Sequence, residues 1–143
     1  MELSLNHVSI RTLNLEACQR FYVDALGLVA GPRPDFPFPG IWLYAGPTTA
    51  WSNAVVHVIG IDPQDPSGLD DYLGPREGAA SHGSGVVDHV AFQATGLARM
   101  RERLAALGIA LRERAVPGLG LHQLFLEDPD GLVVELNYPA AEN

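Results

Sequence analysis

The stretches Asn6-His7-Val8-Ser9-Ile10 and Asp88-His89-Val90-Ala91-Phe92 decide the fold of this chain, because each opens the same series of elements. Each is a run of β-forming residues with a His in second position, and a helical stretch follows it. The two His residues are 82 positions apart, and Gly27 and Gly108, which close the helical stretches, are 81 apart. The matching spacings predict two copies of one unit of about 50 residues.

Hydrophobic periodicity predicts the same elements in both copies. Strands are expected over residues 5–10 and 86–93, helices over about 14–26 and 97–107, and further strands over 41–45, 54–60, 110–115, 121–126 and 132–138. Asn14 is the expected cap of the first helix, and a Gly ends each helix. Taken with the repeat, each unit is predicted to be β-α-β-β-β, although only three strands are visible in the first copy, and the chain is predicted to be α+β.

The chain has 143 residues and a globular composition, with 47% apolar and 18% charged residues. We predict a single domain, residues 1–143, with module one at about 4–60, an acidic linker at about 61–85 and module two at about 86–138. The formal net charge of −8 argues against nucleic-acid binding, and neither a secretory leader nor a membrane span is expected. With a single cysteine, Cys18, a cytoplasmic location is expected.

Two segments break the symmetry of the repeat. Residues 31–40 hold four prolines together with Phe36 and Phe38, a sequence too stiff for a helix or a central strand. This segment is either an ordered surface loop or a rigid aromatic wall over a binding site. Residues 61–85 carry five acidic residues against one Arg and are predicted to form a solvated linker.

The C-terminal hairpin indicates which side chains share a face of its sheet. Glu127-Asp128-Pro129-Asp130-Gly131-Leu132 suits a three-residue loop between two antiparallel strands. With that loop Glu135 lies opposite Phe125 and Gln123 lies opposite Asn137, all on one face. A Glu in so apolar a strand is unusual, because a buried carboxylate needs a partner.

The repeat supplies that partner. His57 is the counterpart of Glu135 in the last strand of the first copy, and His7 and His89 are counterparts in the first strands. Each of the four alone could be an ordinary, internally satisfied residue. Together they occupy repeat-equivalent positions, and a divalent cation would give all four a partner. We predict that they converge on one metal ion, with Glu135 as the only charged ligand.

With these residues the chain resembles the vicinal-oxygen-chelate superfamily, also called the glyoxalase/bleomycin-resistance/dioxygenase superfamily. Besides the two stretches quoted first, the matching segments are Phe21-Tyr22-Val23-Asp24-Ala25-Leu26-Gly27 and Gln123-Leu124-Phe125-Leu126-Glu127-Asp128-Pro129-Asp130-Gly131-Leu132-Val133-Val134-Glu135-Leu136. The resemblance implies paired modules in a cupped, partly closed mixed sheet with helices outside. It implies one divalent ion per site, Ni, Zn, Fe or Mn, on the ligands His7, His57, His89 and Glu135.

The resemblance implies a metal that chelates two adjacent oxygens of a small-molecule substrate, and three activities remain open. In a glyoxalase-I-like lyase or isomerase, Glu135 moves a proton beside a carbonyl, and Arg11 matches a position that binds glutathione or another thiol. An Fe(II) extradiol-type dioxygenase would use His7, His89 and Glu135, but such relatives often have Tyr where this chain has Phe125. A drug-sequestering protein of the bleomycin-binding kind lacks the ligand set that is retained here.

The lyase or isomerase is the preferred interpretation, although glyoxalase I usually has Glu at the position of His57. Arg11 fits a solvent-facing residue at a strand end equally well. The predicted substrate-binding residues are Arg11, Gln123, Phe125, Phe36 and Phe38. An open pair of modules leaves sheet edges to cover, and members of the superfamily usually dimerise, so a homodimer is expected, with no nucleic-acid or membrane partner.

Overall fold

Each copy of the repeat folds into a four-stranded mixed sheet, with a helix between its first and second strands. The computed structural model of the chain describes residues 4–47, 50, 53–75, 80–85 and 87–142. The chain divides after Ser81 into two compact units. The predicted α+β class and paired β-α-β-β-β modules are confirmed, since each unit contains one four-stranded mixed sheet.

The first unit places its first strand beside its last. Its elements are β1 (Val8–Thr12), α1 (Leu15–Gln19), a π-helical turn (Arg20–Ala25), β2 (Val29–Gly31), β3 (Gly40–Tyr44), β4 (Ala54–Gly60) and α2 (Ser67–Leu73). The strand order is β1-β4-β3-β2, in which β1 and β4 are parallel and the other neighbours are antiparallel. This order brings the beginning of β1 close to the middle of β4, where His57 lies.

The second unit repeats this arrangement. Its elements are β5 (His89–Gln93), α3 (Leu97–Ala106), β6 (Leu111–Val116), a 3-10 turn (Pro117–Leu119), β7 (Leu121–Glu127), β8 (Val133–Pro139) and a last 3-10 turn (Ala140–Glu142). The strand order is β5-β8-β7-β6, and again the first and last strands are the parallel pair. Glu135 on β8 therefore occupies the place that His57 occupies on β4.

One face of each sheet is apolar and buried. On β4, Val56 and Val58 are each 1% exposed, and on β8 Val134 is fully buried. Because successive strand residues point to opposite faces, His57 and Glu135 project from the other face of their own sheets. In the first unit, α1 packs against β3 and β4.

The helix boundaries follow local signals. The Asn14 side chain accepts a hydrogen bond from the Ala17 N–H at 3.0 Å, which confirms the predicted cap. Gly27 and Gly108 have φ of 82° and 65°, so both predicted helix-ending glycines adopt the left-handed conformation. The single α-helix predicted over residues 14–26 is wrong in one respect, because Arg20–Ala25 is π-helical. Apolar spacing alone does not distinguish the two kinds of turn.

Three further features differ from the sequence prediction. The three-residue strand β2 was not predicted, because it is too short to show an alternating pattern. Strand β1 begins at Val8, three residues later than expected. The segment predicted as a solvated linker contains α2, in which Leu69 is 6% exposed. Its residues 76–79, and residue 86 at the predicted start of module two, lie outside the described residues.

No helix in the described ranges has the length and apolar character needed to cross a bilayer.

Candidate functional site

His7 and His57 form the first pair of candidate ligands, and strand pairing brings them together. In the β1–β4 ladder Ser9 lies opposite His57, and His7 precedes Ser9 by two residues, so it points to the same face. The two imidazole rings stack, with centroids 3.7 Å apart and 17° between their planes. Trp42, opposite His57 on β3, also stacks on it, at 3.9 Å and 8°. The His57 ring therefore lies between the rings of His7 and Trp42.

His57 is a neutral imidazole near neutral pH. Its pKa is lowered to about 4, first by burial and then by the charges of His7 and Arg33. Among the described residues, its buried Nε2 has no hydrogen-bond partner. A neutral imidazole with an unsatisfied ring nitrogen has the protonation state that metal ligation requires.

His89 and Glu135 form the second pair, at the same place in the repeat. Ala91 lies opposite Glu135 in the β5–β8 ladder, and His89 precedes Ala91 by two residues. His89 Nε2 and Glu135 Oε2 are 3.3 Å apart. Two ligand atoms that each lie about 2.0–2.3 Å from one ion are about 2.8–3.8 Å apart in octahedral or tetrahedral geometry. The observed separation therefore fits two ligands of the same metal.

Amide side chains hold Glu135, whose residue exposure is 7%. Gln123 Nε2 and Asn137 Nδ2 donate to Glu135 Oε1 at 2.9 Å and 2.8 Å, while Gln123 also donates to Asn137 Oδ1 at 2.8 Å. Arg114 Nε donates to Gln123 Oε1 at 2.7 Å. Both amide hydrogens of Gln123 are thus used within the protein, and Oε2 is the Glu135 oxygen that faces His89. The register predicted for this hairpin is confirmed, with Gln123 opposite Asn137.

His7 and His89 each contact the side chain of the residue that precedes them. His7 Nδ1 lies 2.6 Å from Asn6 Oδ1, and His89 Nδ1 lies 2.7 Å from Asp88 Oδ1. In each copy the residue before the His thus provides an oxygen that can accept the Nδ1 hydrogen. With Nδ1 protonated, Nε2 carries the lone pair, which is the usual arrangement around a metal-bound histidine. Sequence reasoning did not identify Asn6 and Asp88, although the repeat spacing relates them as it relates the histidines.

The first unit has a pocket of ≈ 420 Å³ beside its histidine pair. Besides His7 and His57, Arg11, Phe36 and Phe38 line it. Arg11 Nε is buried and, within the described ranges, has no hydrogen-bond partner. Three of the predicted substrate-binding residues thus lie around one cavity, while their contact with a substrate stays a prediction.

The segment 32–39 is held in place as one wall of this pocket. Tyr44 donates its hydroxyl to the Pro32 carbonyl at 2.6 Å, and the Gly60 N–H donates to the Pro39 carbonyl at 2.9 Å. Helix α2 approaches so closely that a Cβ on Gly68 would lie 1.8 Å from the Pro37 oxygen. The segment is therefore an ordered wall.

Phe125, the remaining predicted substrate-binding residue, lies in the second unit opposite Glu135. The guanidinium carbons of Arg112 and Arg114 are 4.6 Å and 5.5 Å from the centre of its ring. A cation over an aromatic face is a favourable contact. The residue that replaces the Tyr of some relatives is thus covered by two positive groups.

Comparison with known proteins identifies the family. The sequence profile of the "Glyoxalase/Bleomycin resistance protein/Dioxygenase superfamily" matches residues 4–136. The chain belongs to this superfamily. It is 30% identical over 138 residues to "Glyoxylase I 4" of Arabidopsis thaliana, a match that covers 93% of this chain and 69% of that protein.

Solved structures agree on the fold. A protein assigned to the glyoxalase family from Bacillus anthracis matches with a TM-score of 0.69 at 18% identity, covering 97% of each chain. Lactoylglutathione lyase from Agrobacterium tumefaciens matches with a TM-score of 0.62 at 21% identity, covering 96% of this chain and 94% of its own. At these identities the likeness shows the fold alone.

In this superfamily member the candidate residues fall into two groups by unit. The first unit brings together His7, His57, Arg11, Phe36 and Phe38, and the second brings together His89, Glu135, Gln123 and Phe125. The convergence of both pairs on one ion stays a prediction. Sequence reasoning missed Arg33, whose guanidinium lines the pocket from within the proline-rich segment. Nothing in the local sequence distinguishes that Arg from an exposed one.

Proposed function

We propose that this superfamily member is a metal-dependent enzyme that chelates vicinal oxygens of a small substrate, with glyoxalase-I-like lyase or isomerase chemistry. The observation that carries the proposal is the equivalence of the two pairs. His7 with His57, and His89 with Glu135, occupy the same register positions in the two sheets. Ring stacking of His57 and the amide contacts of Glu135 do not by themselves require metal-binding residue types at equivalent positions of both copies, whereas a shared metal ion does.

The donor set fits a divalent cation. Neutral imidazole nitrogens with one carboxylate suit Zn, Ni or Fe(II), and the 3.3 Å separation of His89 Nε2 and Glu135 Oε2 agrees with shared ligation. His57 Nε2, buried without a partner in the described part of the chain, gains one in this way. We propose His7, His57, His89 and Glu135 as the ligands. When bound, the ion supplies Lewis-acid polarisation of two adjacent substrate oxygens.

Glu135 is the proposed general base. Its Oε1 accepts hydrogen bonds from two amides, so Oε2, the oxygen that faces His89, would have to serve both as the ligand and, when not bound to the ion, as the acceptor of the proton beside the substrate carbonyl. Position 57 is neutral here, where glyoxalase I usually has Glu. The chain therefore relies on one carboxylate for the proton transfer, and loss of Glu135 should stop the reaction.

The test combines metal analysis with turnover assays on protein purified without chelator. We expect about one Ni or Zn per site and turnover of hemithioacetals formed from an α-ketoaldehyde and glutathione. Glu135→Ala should remove most of the metal affinity, because the three remaining ligands are neutral, whereas His57→Ala should weaken binding less. His82→Ala is the matched control, since His82 is exposed and belongs to neither pair.

Two outcomes decide against the proposal. Oxygen uptake with Fe(II) and a catechol would instead support the dioxygenase. Wild-type protein that binds neither metal nor hemithioacetal would leave the drug-sequestering interpretation. A homodimer with two sites remains part of the proposal, and light scattering of the metal-loaded protein measures it.

A further inference from the structure

Aromatic side chains dominate the pocket beside His7 and His57. Phe36 and Phe38 stack with centroids 5.3 Å apart, and Tyr72 from α2 lies 4.7 Å and 5.5 Å from them. Trp42 lies 6.1 Å from Phe36 on the side toward His57. The volume of ≈ 420 Å³ lies near the lower end of small-molecule sites. Tyr72 is 54% exposed, so part of this aromatic surface is open to a ligand.

The charge of this pocket is opposite to that of the chain. The formal net charge is −8, yet the charged residues that line the pocket are Arg11 and Arg33. The described lining contains no carboxylate, and the charge of Asp35, two residues after Arg33, acts on the Arg33 guanidinium. Two guanidinium groups among aromatic rings favour an anionic ligand.

Arg33 is fixed in this position. Its Nη2 donates to the Phe38 carbonyl at 2.8 Å, and its guanidinium carbon lies 4.9 Å and 5.0 Å from the ring centres of Phe36 and Phe38. A Cβ on Gly40 would lie 2.5 Å from the Val58 carbonyl oxygen and 3.1 Å from Arg33 Nε, so the glycine allows close packing on β4 and also leaves space for the Arg33 side chain. The guanidinium of Arg33 has five N–H donors, and among the described residues the Phe38 carbonyl accepts one of them. The remaining donors can bind a carboxylate.

We propose that this pocket binds a small aromatic carboxylate, whose ring packs against Phe36, Phe38, Trp42 and Tyr72 and whose carboxylate pairs with Arg33. The inference goes beyond the proposed function, because it assigns a ligand class to the cavity beside His7 and His57 whether or not that ligand is turned over. Aromatic pairs prefer offset or edge-to-face contact, which the tilted rings of Tyr72 and Phe36 offer. The carboxylate of the ligand supplies the negative charge that balances Arg11 and Arg33.

The test is calorimetric titration of the full chain, metal-free and metal-loaded, with three probes. Benzoate carries the ring and the charge, benzamide keeps the ring without the charge, and cyclohexanecarboxylate keeps the charge without the aromatic ring. We expect benzoate to bind at least about tenfold more tightly than benzamide, because a hydrogen bond to a charged group is lost. We expect it to bind about threefold more tightly than cyclohexanecarboxylate, because aromatic pairing is lost.

Variants assign the effect to residues. Arg33→Gln should weaken benzoate binding at least about tenfold and leave benzamide binding unchanged, and Arg33→Lys should recover part of the loss. Tyr72→Ala should weaken benzoate binding about threefold. Arg99→Gln, at an exposed position in α3, is the matched control and should change nothing.

Equal affinity for benzoate and benzamide in the wild-type protein, or no benzoate binding at about 10 mM, would overturn the inference without any variant. The proposed function is tested separately. Benzoate binding in a protein that neither holds metal nor turns over substrate would leave the pocket assignment standing alone. Metal-dependent turnover without selectivity for benzoate over benzamide would support the proposed function and overturn the pocket assignment.

Discussion

Replacing Gln123 by Leu tests whether the amides around Glu135 hold a metal ligand or only stabilise the sheet. Leu has a similar volume but neither donates nor accepts. The change removes the 2.9 Å hydrogen bond to Glu135 Oε1 and the 2.8 Å bond to Asn137 Oδ1, and it leaves Arg114 Nε without its acceptor. Because Gln123 is 5% exposed, water replaces these bonds poorly.

The magnitude follows from these contacts. A hydrogen bond to a charged group contributes about 1.5–3 kcal/mol, and burial of the Leu side chain offsets part of the loss, so we expect the free energy of unfolding to fall by about 2 kcal/mol. Loss of a partner that orients a ligand typically weakens metal binding about 10–100-fold. We therefore expect the dissociation constant for Zn to rise by that factor in Gln123→Leu.

The assay is urea unfolding of the metal-free protein and calorimetric titration with Zn. Measuring stability without metal keeps ligand linkage out of the unfolding free energy. Gln64→Leu, at an exposed turn position, is the matched control and should leave both quantities unchanged. A Zn dissociation constant within about twofold of wild type, alongside the expected loss of stability, would refute the idea that Gln123 positions a metal ligand.

Three further predictions concern the pocket wall and the surface of the second unit. Replacing both Phe36 and Phe38 by Ala should raise KM while metal content stays at the wild-type level, and an unchanged KM would leave the segment as surface. Gly68→Ala places a Cβ 1.8 Å from a backbone oxygen of that wall, so we expect about 1–3 kcal/mol of destabilisation in urea unfolding together with a raised KM; an unaffected variant would contradict the close packing. The pKa of Glu113 is lowered to about 2, first by the hydrogen bond from Arg101, so its contribution to stability is complete above the ordinary value of 4.5 and is lost as pH falls from about 4.5 to about 2. Glu113→Gln should therefore be less stable than wild type near pH 6 by about 1 kcal/mol and equal to it near pH 2, and a difference that does not change with pH would exclude this origin.

The sequence was sufficient to predict those features that depend on local rules. The hairpin loop and the two-residue strand period predict Glu135 opposite Phe125, and the structure has that register. The repeat spacing predicts the order of the elements that both units share, although β2 and α2 of the first unit were missed. The side-chain partners of His57 and Glu135 follow from strand neighbours once the order of strands is known.

Features that depend on contacts distant in sequence were not predicted. The acidic composition of residues 61–85 hides α2, because that helix is stabilised by its packing on the proline-rich segment rather than by its own amphipathic pattern. The position of Arg33 depends on its hydrogen bond to the Phe38 carbonyl, a contact close in sequence that nevertheless leaves no pattern in the residue types. The positive charge of the pocket can therefore be recognised only in the folded chain.

The repeat gives two similar sheets, and the differences between them are chemical. At the same register position one unit has His57, held neutral between the rings of His7 and Trp42, and the other has Glu135, held by two amide donors. A buried imidazole is more stable in its neutral form, whereas a buried carboxylate is stabilised by hydrogen-bond donors around it. Each surrounding therefore matches the residue it contains, and exchanging His57 for Glu without its amide donors should cost stability rather than restore a second base.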